Sequence, residues 1–167
     1  MITIETEEKA QIEEIIRKCK VCHVGLIDAQ GLPYVVPMNF GYAEGIIYLH
    51  SAPSGRKIDA ARANPQVCIT FSTAAELAYQ HEEVACSYRM KGGSVICRGQ
   101  AVFEENYEEK VKALDCIMRQ YTEKKFRYSA PSVNNVKIWK IEIAGITARI
   151  FGAPHPKAVK LQGDAIK

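Results

Sequence analysis

One short stretch of the chain holds the residues best suited to bind an anion and, beside them, one suited to move a proton. Ser51, Ala52, Ser54 and Gly55 lead into Arg56 and Lys57, and a helical pattern then runs over 57–63 until Asn64-Pro65 stops it. A loop of small polar residues opening a helix offers free backbone N–H groups and the positive end of the helix dipole, here with two adjacent cations. That combination suits a phosphate group. The glycine spacing is neither that of a P-loop nor that of a dinucleotide fingerprint. A solvated basic helix start satisfies the same pattern. His50 directly precedes the loop, and its imidazole, titrating near neutrality, could donate a proton to a reacting group. The plainer reading is that His50 only hydrogen-bonds the loop at a strand end.

The elements around this stretch must position it. Residues 34–40 are β-rich, 41–45 have turn chemistry, and 46–50 form a short apolar strand. Before them come a helical pattern over 7–19, a strand over 21–27 and the turn Asp28-Ala29-Gln30-Gly31. Pro37 cannot donate to a ladder, which places it at a sheet edge or a bulge. After the loop, strands are expected at 67–72 and 84–89, with Gly92-Gly93 breaking the chain before a long strand over 94–103. Residues 107–121 carry a helical stripe of Tyr107, Val111, Leu114, Met118 and Tyr121, with Lys110 among the polar residues opposite. Residues 123–133 read as an exposed loop. A strand over 136–143 surrounds Trp139, and a turn at Ala144-Gly145 leads into a last strand over 146–151. The total is six to seven short strands with hairpin turns and few βαβ units, hence a mainly β chain built as an antiparallel barrel with flanking helices.

Composition sets the outer bounds. At 167 residues the chain has the length of one domain, drawn here as 1–153 followed by a basic tail at 154–167. A net charge of +3, with both signs spread along the sequence, is too mild to imply nucleic acid. No apolar run approaches a membrane span and the first residues are acidic, so the expected compartment is the cytoplasm, with the six cysteines mostly reduced. Cys19-Lys20-Val21-Cys22-His23 spells a haem-attachment pattern. It straddles a helix end and a strand start, however, and Cys22 and His23 would point to opposite faces. It also lacks the second ligand pair that a zinc site needs. The cysteines are read as small apolar fillers, and no metal site is assigned.

The run Pro37, Asn39, Phe40, Gly45, Tyr48, His50, Ser51, Ala52, Gly55, Arg56, Lys57, Asn64, Pro65, Val67 resembles the flavin-binding core of the pyridoxamine 5′-phosphate oxidase-like split-barrel superfamily, in its nitroimidazole-resistance branch. The likeness extends over about 12–152. It implies a split β-barrel, a homodimer holding two flavins between its subunits, and flavin mononucleotide (FMN) as cofactor. The phosphate would lie against Arg56, Lys57 and the loop of Ser51, Ala52, Ser54 and Gly55. Val36, Pro37, Met38 and Asn39 would run along the isoalloxazine. Ser94 and Val95, matching a Ser-Val-x-x-x-Gly pattern with Gly99, would contribute from the partner chain. Trp139 and Arg149 stand where the oxidase branch keeps a Trp and an Arg near the flavin, although Trp139 would equally serve as a half-buried strand aromatic. His50 matches the residue proposed to handle the nitro substrate. Arg149 is alone in 147–152 where the vitamin-processing oxidases carry a basic signature, which argues against pyridoxamine phosphate as substrate. The expected activity is FMN-dependent reduction of a small nitro- or quinone-like acceptor with NAD(P)H as donor. The alternatives are a non-enzymatic flavin- or haem-binding split barrel and, less favoured, a deazaflavin protein.

Overall fold

The computed structural model describes residues 2–153. In chain order these form β1 (Ile2–Thr6), α1 (Lys9–Lys18), β2 (Cys22–Ile27), β3 (Pro33–Met38), β4 (Phe40–Ala43), β5 (Ile46–Ser51), α2 (Arg56–Ala63), β6 (Gln66–Ser72), β7 (Glu76–Ala78), β8 (Arg89–Glu104), α3 (Tyr107–Arg119), α4 (Ala130–Asn134) and β9 (Lys137–Ala153). The strands form an antiparallel sheet in the order β3-β2-β6-β8-β9-β5-β4, with β1 added to β9 and β7 to β8. The first and last strands of that order, β3 and β4, are joined through the single residue Asn39. The sheet therefore curls until its two edges meet at one corner, which makes it a split barrel.

Alternation along each strand fills the interior. Val24, Leu26, Ile69, Phe71, Val95, Cys97, Ile47, Leu49, Trp139 and Ile141 point inward and are nearly inaccessible. α1 adds Ile12, Ile15 and Ile16 at helical spacing and carries Arg17 and Lys18 in its last turn, where the helix dipole favours cations. Cys19 and Cys22 belong to the same core, while His23 faces out from β2. Burial pushes the Cys22 thiol up to about 12 and raises the Cys19 thiol as well, in keeping with their place as apolar filling in the core.

Several boundaries differ from those read in the sequence. There are nine strands among the described residues, not six or seven. β1 was not foreseen; its five residues gain their pairing from the far end of β9. The turn expected over 41–45 shrinks to Glu44-Gly45, because Gly41, Tyr42 and Ala43 pair with β5. Residues 84–89 hold a 3-10 turn (Ala85–Ser87) in place of a strand. Gly92-Gly93 does not break the chain; both residues pair with β9 inside the 16-residue β8. The turn expected at Ala144-Gly145 is a β-bulge: Arg98 pairs Gly145 and Gly99 pairs Ile143, leaving Ala144 as the extra residue of a continuous β9. The exposed loop over 123–133 contains α4, whose Val133 is fully buried. The basic tail at 154–167 lies outside the described residues.

The most informative difference is on α3. The helix buries Lys110, Ala113, Cys116 and Ile117, while Val111, Leu114, Met118 and Tyr121 are only half-buried. The cause is close approach: a Cβ on Gly41 would come within 2.6 Å of the Cys116 and Ile117 backbone. The missing side chain of Gly41 lets the helix backbone sit that tightly on β4, at the turn that carries Cys116 and Ile117. Lys110 is carried inside with it, and its ammonium donates to the Val136 carbonyl at 3.0 Å, with the Glu105 carboxylate 3.8 Å away.

Candidate functional site

The loop between β5 and α2 is open to solvent at Ala52, Ser54, Gly55 and Arg56, with Lys57 half-buried behind them. Gly55 is the N-cap residue of α2 at φ 114°, and no side chain caps the helix. The Gly55 carbonyl accepts from Ile58 and Asp59. The Arg56 and Lys57 N–H groups are thus left without a side-chain acceptor at the helix start, beside the lysine's own ammonium. That donor set fits a phosphomonoester.

Two anchors hold the loop. At its start Ser51 is buried, donates to the Ala52 carbonyl at 2.9 Å and accepts from the Trp139 indole N–H at 3.0 Å. Trp139 is fully buried and packs edge-on against Phe103, with ring centroids 5.2 Å apart. Trp139 is therefore not a surface aromatic available to a ligand, which corrects its assignment as a direct cofactor contact. Its N–H had to find an internal partner, and β9 pairs Trp139 with Leu49, two residues before Ser51. At the other end, Arg56 donates to Asp28 Oδ2 at 2.8 Å and lies 4.4 Å above the Tyr34 ring. Arg56 thus has an anionic partner, with its remaining donors open to solvent, and Lys57 has no side-chain partner among the described residues.

His50 lies at the end of β5, opposite Ile138. Burial, and then the neighbouring charge of Lys57, hold its imidazolium below its ordinary pKa. His50 and Lys57 are thus close enough to sense each other. An arriving anion would offset the lysine and make protonation easier.

The β3 residues sit on an edge strand paired only with β2, so part of its backbone is free to bond a ligand. Pro37 is at that edge, as its missing donor requires. The Val36 and Met38 side chains face the core, leaving Pro37 and the main chain on the outside. Asn39 is at the barrel corner, where its amide reaches Tyr121 Oη at 3.2 Å and the Lys20 carbonyl at 3.4 Å. Tyr121 Oη also accepts from the Phe40 N–H at 2.9 Å and donates to Lys20 at 2.9 Å, which pins the corner.

Ser94, Val95 and Arg149 are elsewhere. Ser94 pairs with Arg149, and Arg149 is tied to Glu5 of β1 at 2.6 Å. The strand from Ser94 to Glu104, which pairs with the His50 neighbour Ile138, spans roughly 30 Å at roughly 3.3 Å per residue. One protomer does not bring these residues to His50 and Lys57. The Val95 side chain is fully buried in its own core, so only its backbone could serve a second chain. Sequence reasoning missed Asp28 and Tyr34. Asp28 and Gly31 mark a turn of the β2–β3 hairpin, which hid the carboxylate's second partner. Among the described residues no group of three or more His, Cys, Asp or Glu is disposed to hold a metal ion. No described helix is long and apolar enough to cross a membrane.

Comparison with known proteins adds to this geometry. The chain is 50% identical to a candidate 5-nitroimidazole antibiotic resistance protein from Bacteroides thetaiotaomicron, covering 89% of this chain and 87% of that one with a TM-score of 0.83. Its fold also matches flavocytochrome Anf3 from Azotobacter vinelandii (TM-score 0.76, 18% identity, 93% and 74% covered). A FAD- and haem-binding protein from Mycobacterium smegmatis matches likewise (0.78, 10%, 95% and 79%). No curated protein matches. The sequence model of the pyridoxamine 5′-phosphate oxidase family matches residues 8–150, and by that match and the 50% identical relative the chain belongs to this family.

Proposed function

We propose that the protein is an FMN-dependent oxidoreductase that reduces a small nitro- or quinone-like acceptor, working as a cytoplasmic homodimer with NAD(P)H as donor. The observation that carries the reading is the uncapped start of α2, with Lys57 unclaimed by any other side chain among the described residues and His50 beside it. The uncapped N–H groups and Lys57 would take the phosphate of FMN, and the free edge of β3 around Pro37 would run beside its ring system. Bound there, the flavin supplies two-electron transfer between donor and acceptor. His50 would hold the proton delivered to the acceptor, its protonation favoured by the anionic cofactor. The 50% identical relative, described by its resistance to 5-nitroimidazoles, supports a nitro compound as one acceptor class.

Two features support the pairing of subunits. Ser94 is far from its own chain's loop, and the outer faces of β8 and β3 expose apolar side chains, interleaved on β8 with Arg98 and Gln100. Val35 is 60% exposed, Ile96 38% and Val102 60%, all on outward positions of β3 and β8. Pairing through this face would bring Ser94 to the partner's cleft.

The protein as purified should be yellow, with an oxidised-flavin spectrum and released FMN identified by mass. Replacing Lys57 by Ala should weaken FMN binding about ten-fold, as expected for a lost charge-assisted hydrogen bond. A colourless protein that ignores FMN in titration but gives a Soret band with haem would overturn the reading.

A further inference from the structure

The β2–β3 hairpin and the start of α2 are far apart in sequence yet joined by one side-chain pair. Asp28 is almost inaccessible, with its side chain 4% exposed. Its Oδ1 accepts from the backbone N–H groups of Gln30 at 3.0 Å and Leu32 at 2.9 Å, so the turn fixes the carboxylate. Its Oδ2 accepts from Arg56 Nη2 at 2.8 Å, and Tyr34 supports the guanidinium from below. Arg56 is the first residue of α2. The cap before it, Gly55, has no side chain and a φ of 114°, so no side-chain cap fixes the first turn, and the buried Ile58, Ala60 and Ala61 hold the helix only from its inner face. On its outer face the first turn is tied, through Arg56, to a turn on another part of the barrel.

We propose that Asp28 is a positioning residue for the phosphate site, holding the first turn of α2 through Arg56 so that its N–H groups and Lys57 converge on a phosphomonoester. The inference rests on the FMN reading given above. It also carries an opposed sign that makes it testable. As a bare charge, a carboxylate near a phosphate site repels the ligand, so its removal should tighten binding. As an anchor it pre-organises the site, so its removal should weaken binding.

The full-length protein, stripped of bound flavin, is titrated with FMN and with riboflavin, which lacks the phosphate. Asp28→Asn keeps an acceptor for the turn N–H groups while removing the charge that holds Arg56. It should weaken FMN binding roughly five-fold and leave riboflavin binding unchanged. Arg56→Gln should show the same FMN-selective loss from the other side of the pair, and the double variant should be no weaker than Arg56→Gln alone. Unchanged or tighter FMN binding in Asp28→Asn overturns the inference, as does an equal loss for both ligands, which would signal general loosening. A parent protein that binds neither ligand refutes the FMN reading itself, and the inference with it.

Discussion

Replacing Trp139 by Phe tests whether the buried indole holds the ligand loop or merely fills space. The substitution keeps an aromatic ring against Phe103 but removes the N–H that Ser51 Oγ accepts at 3.0 Å. Ser51 is 7% exposed, so water cannot replace that donor freely. A buried group left without its partner costs about 1–3 kcal/mol. The smaller ring also leaves a gap of ~40 Å³, which at ~24 cal/mol per Å³ adds about 1 kcal/mol. The expected loss of folding stability is thus about 2–4 kcal/mol, of which the hydrogen bond is the larger share. Trp139 is the only tryptophan, so urea unfolding should be followed by far-UV circular dichroism, which reads the parent and the variant alike. Ser51→Ala, made alone and combined with Trp139→Phe, isolates the contact. A coupling of about 1 kcal/mol between the two is expected, and costs that simply add, within about 0.5 kcal/mol, would refute the anchoring role.

Other perturbations follow from the same geometry. Gly41→Ala should destabilise the fold by more than about 2 kcal/mol, since the added Cβ would meet helix backbone at 2.6 Å and neither β4 nor α3 can yield; thermal unfolding checks it. Glu44 sits at φ 51° in the two-residue turn before Gly45, so Glu44→Asn should raise stability by about 0.5–1 kcal/mol in the same assay. The Asp28 carboxyl is held below its usual range by its hydrogen bond from Arg56 and by the Leu32 and Gln30 N–H groups. Its contribution should therefore be complete above the ordinary carboxylate value of about 4 and lost as pH falls through the lower folded value, a slope absent from Asp28→Asn in acid titrations of the urea midpoint. His50 is depressed too, so the unfolded chain takes up its proton first. Stability should then decline as pH drops below about 6.5 and level off beneath the folded value, and His50→Gln should flatten that step.

Where backbone demands are local, the sequence spoke clearly. Pro37 announced an edge strand because it lacks a donor, and Asn64-Pro65 announced the end of α2. The basic loop was legible because small polar residues, a glycine cap and two cations are contiguous. What stayed hidden depends on partners distant in the chain. Trp139 and Ser51 are 88 residues apart, and no pattern near either names the other. Arg56 and Lys57 read as equals in sequence, yet Asp28 pairs with one and not with the other. The buried face of α3 was misread because helical periodicity rewards large apolar residues, whereas the close approach at Gly41 turns the face of Ala113, Cys116 and Ile117 inward. Gly92-Gly93 and Ala144-Gly145 looked like breaks because glycine suits both turns and bulges, and only the opposite strand decides between them.

The pairing of β1 with the end of β9, Ile2 against Ala153, has a temporal side. A chain made from its N-terminus cannot pair β1 until β9 has left the ribosome, 131 residues after the end of β1, so β1 must wait for it. The same join brings residues 2 and 153 side by side.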